Sequence, residues 1–99
     1  MNEVAVLIKR TYEGATRVET KREVLCGFRS IGMKEFYQSS ASDFHPELKL
    51  VLADYLDYDN ETLADYNGQR YRILRTYRTG QALELTLERA PVEDGEANG

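Results

Sequence analysis

The run from Ala82 to Arg89 restricts the fold more than any other part of this chain: Leu83, Leu85 and Leu87 alternate with Glu84, Thr86 and Glu88. A period of two puts every leucine on one side of an extended strand, whereas a helix would scatter them round its surface. Such a segment needs a sheet with one buried face. The same period recurs where Leu48, Leu50 and Leu52 alternate with Lys49, Val51 and Ala53. Val24, Cys26 and Phe28 share a side, with Glu23 and Arg29 on the other. In the first segment Val4, Val6 and Ile8 fall on one face, and Ala5 and Leu7 make the other apolar too.

Turn chemistry divides these runs. Asn67-Gly68 stands between Leu63–Tyr66 and Arg70–Ile73, and Asn-Gly accepts the positive φ of a type I′ hairpin turn at little cost. Thr79-Gly80-Gln81 reads as a second hairpin, so 62–89 is predicted to be a three-stranded antiparallel meander. Across its second turn Arg72, Arg75 and Arg78 come near Glu84 and Glu88. The polar stretch Gly14–Lys21 reads as a mobile loop between the first two strands. Met33, Phe36 and Tyr37 recur at i, i+3, i+4, which predicts a short α-helix over about 33–39. From Pro91 the chain offers Gly, Asn and acids and nothing to bury, so 91–99 is expected to be a disordered acidic tail. The 99 residues suffice for one domain, over 1–90. The expectation is a mainly β chain: a small antiparallel barrel of five to six strands with one short helix, since closure removes unpaired edges.

Charge narrows the function. With 17 acidic and 13 basic residues the net charge is −4, unlike the basic footprint of a dedicated nucleic-acid binder. No apolar run approaches the roughly 20 residues of a membrane span. Met1-Asn2-Glu3 does not open like a secretory signal, so a soluble intracellular chain with no membrane partner is expected. The charge is segregated: residues 43–65 carry a net −6, residues 66–89 a net +3. The bland reading is a pair of solvated faces. The sharper one is self-complementarity, in which Asp54, Asp57 and Asp59 of one copy face Arg70, Arg72, Arg75 and Arg78 of the next.

Catalytic chemistry is sparse. His45 is the lone histidine and sits before Pro46 in a polar loop without an assignable partner. Cys26, the lone cysteine, shares a face with Val24 and Phe28 and reads as a core residue. Asp57-Tyr58-Asp59-Asn60-Glu61 begins like a calcium loop, but Glu61 stands at the fifth position, Thr62 where the loop needs Gly, and Gly68 where it needs a bidentate acid. No Gly-rich phosphate loop and no Ser-His-Asp order is found. The reading is not an enzyme, with no cofactor and no metal. The run Arg70–Arg78 interleaves arginine with aromatics, as single-strand binding platforms do. Strict alternation would put Tyr71, Ile73, Arg75 and Tyr77 on one face and Arg70, Arg72, Leu74, Thr76 and Arg78 on the other.

Several segments come in a familiar order: Thr20–Cys26, Glu35-Phe36-Tyr37, Asp65–Ile73, Arg75-Thr76-Tyr77-Arg78 and Leu83-Glu84-Leu85. Together, over about residues 4–89, they resemble the small head-closure (head–tail joining, or stopper) proteins of tailed bacteriophages and prophages. The most specific piece is Tyr66-Asn67-Gly68-x-Arg70-Tyr71-x-Ile73 followed by Arg75-Thr76-Tyr77-Arg78. The resemblance implies a small β-barrel without catalytic residues, working as a structural connector in the virion after synthesis in the host bacterial cytoplasm. Copies would form a ring, with portal and adaptor proteins above, tail proteins below, and genomic DNA passing through without sequence-specific contact. It also implies that a connection between strands can reach the channel, here a gating segment including Gly32, Ser39, Ser40, Ser42 and His45. The acidity of Asp43–Asp65 departs from the family pattern, so no surface role carries over to it. Two other readings stand beside this one: a tail-completion or tail-terminator protein, and a small β-barrel module binding single-stranded nucleic acid.

Overall fold

The computed structural model describes residues 2–33 and 44–91. They form six strands: β1 (Glu3–Glu13), β2 (Thr16–Ser30), β3 (Pro46–Leu52), β4 (Leu63–Tyr66), β5 (Gln69–Thr79) and β6 (Ala82–Arg89). Every pairing is antiparallel, and the order β1-β2-β3-β6-β5-β4 closes on itself where β4 meets β1. Two meanders, 1-2-3 and 4-5-6, are thus joined edge to edge into a barrel. The helix expected over 33–39 lies, beyond Met33, outside the described residues, and so does the tail beyond Pro91.

The turns follow their residues. Asn67 and Gly68 take φ of 56° and 81°, the left-handed pair that a two-residue hairpin turn requires. Gly14 turns at φ 65°, and the β1–β2 ladder runs without a break to Glu13↔Thr16. The stretch Gly14–Lys21 is therefore mostly strand, which corrects the loop expected there. β-Branched Thr16, Val18 and Thr20 favour extension, and Arg10 bonds Glu19 across the ribbon.

Leu7, Cys26, Leu50, Leu52, Leu85 and Leu87 are fully buried inside the barrel. Each leucine side chain so buried stabilises by about 1.5–3 kcal/mol before entropy is counted. In β1 the inward residues are Ala5 and Leu7, while Val4 is exposed. Ile8 is buried although its alternation points it outward; its neighbour across the ladder, Leu63, is buried outside the interior cluster as well.

In β5 the register slips by one between Ile73 and Arg75, leaving Leu74 as the extra residue of a bulge. Tyr71 and Ile73 face the interior with Leu87, but beyond the bulge Thr76 and Arg78 lie opposite Leu85 and Leu83. Arg75 and Tyr77 now share the outer side with Thr86 and Glu84. Strict alternation from Arg70 to Arg78 is broken at Leu74.

The two ends of the barrel differ. Chain direction puts the start of β1, the end of β2, Pro46, the Asn67-Gly68 turn and Arg89 at one end. There Phe28 stacks on Tyr66 at 6.4 Å, and the Tyr66 hydroxyl donates to Glu3 Oε1 at 3.0 Å. At the other end the β1–β2 ribbon runs past β4, and the β3–β4 connection crosses over with a single 3₁₀ turn at Tyr55–Asp57. Tyr55 and Tyr58 pack on the core from this crossing. The Tyr55 amide donates to Gln81 O at 2.7 Å, and the Arg78 guanidinium lies 3.5 Å above the Tyr55 ring.

Candidate interaction surface

The arginines of β5 are positioned by the hairpin that the Asn67-Gly68 turn starts, since Asp65↔Arg70 and Leu63↔Arg72 face each other across it. Arg70 is only 8 % exposed. It grips Asp65 with Nε to Oδ1 at 2.7 Å and Nη2 to Oδ2 at 3.0 Å, and its Nη1 lies 3.8 Å from Glu19. Glu19 in turn accepts from Arg10 Nε at 2.8 Å. The Arg10 hydrogen bond is the main cause holding the Glu19 carboxyl below the usual carboxylate range, with Arg70 adding to it against the effect of burial. This chain of charges ties the β1–β2 ribbon to β5 on the outer wall that carries Ile8 and Leu63.

Arg72 is also engaged. Its Nε donates to Glu88 Oε2 at 3.2 Å, and its Nη2 bonds the same oxygen. Glu88 is 3 % exposed and takes the His45 amide on Oε1 at 2.9 Å. Burial works to raise the Glu88 carboxyl, but the His45 amide and the Arg72 guanidinium outweigh it and hold the group below its ordinary value. His45 and Glu88 line an open cavity of about 290 Å³ with Glu47, Arg72 and Arg89, whose charges pair among themselves: Arg89 Nη2 lies 3.4 Å from Glu47.

The acidic residues divide. Asp54 caps the 3₁₀ turn, accepting from the Leu56 amide and from Gln81 Nε2, each at 2.9 Å. Asp59 lies 3.2 Å from Lys9 and 3.9 Å from Arg22. Buried Glu61 accepts Arg22 Nη2 at 3.2 Å and the Asp59 amide at 2.6 Å. The calcium-like carboxylates of Asp59 and Glu61 are thus engaged by protein cations and an amide. Asp57 stands exposed in the turn beside Leu56, which is 65 % exposed. Among the described residues no group of three His, Cys, Asp or Glu side chains is placed to hold a metal ion. No helix among them is long and apolar enough to cross a membrane.

Of the arginines singled out in the sequence, Arg70 and Arg72 serve intramolecular pairs, Arg78 stacks on Tyr55 and donates to Gly80 O, and Arg75 is exposed on the outer wall. Gly32 and His45 are exposed, while Ser39, Ser40 and Ser42 lie outside the described residues. Cys26 is fully buried, and that burial pushes its thiol pKa up. Sequence reasoning passed over Tyr12 and Leu56, two of the most exposed apolar side chains, and the Val4–Leu25 pair that faces outward across β1 and β2. The signal for the last pair was present, since Ala5 and Leu7 compete with Val4 and Val6 for the inner face. Comparison with protein-family models and with curated proteins yields no match.

Proposed function

We propose that this chain is a structural connector of a tailed phage or prophage, one copy of a ring that closes the DNA-filled head and joins it to the tail. One observation carries the reading. The segment most like the head-closure proteins, Tyr66-Asn67-Gly68-x-Arg70-Tyr71-x-Ile73, forms the β4–β5 hairpin that completes a closed barrel. A closed barrel has no free edge along its paired wall, so copies meet through side chains and projecting ribbons rather than by extending one sheet. In this reading there is no catalytic step. The partners are further copies of the chain, portal and adaptor proteins on one side and tail proteins on the other, with DNA threading the ring without sequence readout.

Removing the gene from a producing phage or prophage and imaging the particles tests the proposal. Separate tails beside heads that have lost their DNA support it. Stable full heads beside aberrant tails would instead place the chain in tail completion. Normal infectious particles, together with salt-dependent binding of the purified chain to oligonucleotides, would overturn both in favour of single-strand binding.

A further inference from the structure

The self-complementarity read from the sequence set the arginines of β5 against the acidic stretch, yet Arg70 and Arg72 are taken up inside the fold. The structure offers another cationic partner. Residues 9–22, which make up the β1–β2 ribbon, hold five Lys or Arg and two Glu. Lys9, Arg10 and Arg22 are paired within the chain. Arg17 and Lys21 are exposed and share the face that carries Tyr12, because Tyr12 is opposite Arg17 in the ladder. Tyr12 is 68 % exposed. The ribbon tip therefore shows an aromatic ring beside a cation.

The crossing between β3 and β4 shows the counterpart. Leu56 projects an apolar side chain, and Asp57 beside it is exposed with no ion pair among the described residues. Within one chain the crossing already meets the other face of the ribbon, through Asp59 with Lys9 and Glu61 with Arg22. The ribbon face that carries Tyr12 and Arg17 is tied instead to β5 through Glu19 and Arg70, and the 3₁₀ turn is held by Gln81. Two distinct surfaces of one molecule that complement each other form a heterologous contact between copies, which closes into a ring when the rotation divides the circle and otherwise runs on as a filament.

Building on the ring reading above, we infer that the β1–β2 ribbon tip (Tyr12, Arg17) of one copy docks on the Leu56-Asp57 turn of a second copy. The occupant is this chain itself because the apolar and charged groups match as a pair, Tyr12 with Leu56 and Arg17 with Asp57. Few groups take part and all are solvated before contact, so the isolated contact is weak and sensitive to salt. It becomes persistent where other subunits hold the copies at high local concentration.

Disulfide trapping between two differently tagged full-length chains tests the contact, one carrying Tyr12→Cys and the other Leu56→Cys. The native Cys26 is buried and does not compete. The mixed product should exceed both like-with-like products. It should fall by about two- to five-fold with Asp57→Lys on the second chain, in keeping with one exposed pair, and recover when Arg17→Glu is added to the first. Equal yields in all three combinations, or indifference to charge reversal, would overturn the contact. The assay needs no phage, so its outcome separates from that of gene removal. A mixed product from a chain whose loss leaves particles normal keeps this contact and removes the connector reading. No mixed product from a chain whose loss empties the heads removes this contact alone.

Discussion

Neighbouring positions in β6 differ sharply in what they hold. Leu85 is fully buried under both meanders, and its replacement by alanine removes apolar contact and leaves a cavity in a barrel with little room to relax. Leu85→Ala should destabilise by about 2–5 kcal/mol. Glu84 points outward to Lys49 at 3.3 Å and Arg29 at 3.8 Å, so Glu84→Ala should cost less than about 1 kcal/mol. Denaturant midpoints of the two variants check the inside–outside assignment. Glu88 adds a pH dependence. Its carboxyl is held below its ordinary value in the folded chain, so its contribution is complete above the unfolded pKa of about 4.3 and is lost as pH falls through the lower folded value. Thermal midpoints measured from pH 7 down to pH 3 should therefore drop at the acid end. In Glu88→Gln the midpoint should be lower at pH 7 and the acid drop smaller.

At the scale of elements, the hairpins depend on left-handed turn residues. Gly68 sits at φ +81° with open space where a Cβ would go, so Gly68→Ala is opposed by backbone conformation and not by a clash. It should cost about 1–2 kcal/mol, readable as a lower thermal midpoint with an unchanged circular-dichroism spectrum. These local rules explain which parts were legible in the sequence. Period two in β3 and β6 and the Asn67-Gly68 turn are set by near neighbours and made antiparallel strands legible; the barrel was legible from the gain in closing their free edges. The bulge at Leu74 was not legible, because nothing in Ile73-Leu74-Arg75 distinguishes a continuous strand from one that must slip to stay paired with β6. Nor was the burial of Ile8 and Leu63 on the outer wall, or the capture of Arg70 by Asp65 and Glu19, since each depends on groups distant in sequence. For that reason the candidate cationic surface moved from β5 to the ribbon.

For the whole molecule, much of the charge singled out in the sequence is neutralised within one copy: Arg70 by Asp65, Arg72 by Glu88, and Asp59 by Lys9. The purified chain should therefore sediment as a monomer or in weak, salt-sensitive equilibrium; a stable ring at micromolar concentration in light scattering would contradict this. The difference between the barrel ends has a practical side. The start of β1 and the end of β6 lie at the same end, away from the ribbon tip and the Leu56-Asp57 turn. A fluorescent protein or affinity handle joined directly ahead of β1 therefore leaves the opposite end uncovered. In an assembly of parallel copies, every such handle would emerge on one face, a compass needle by which the orientation of the particle could be read in projection images.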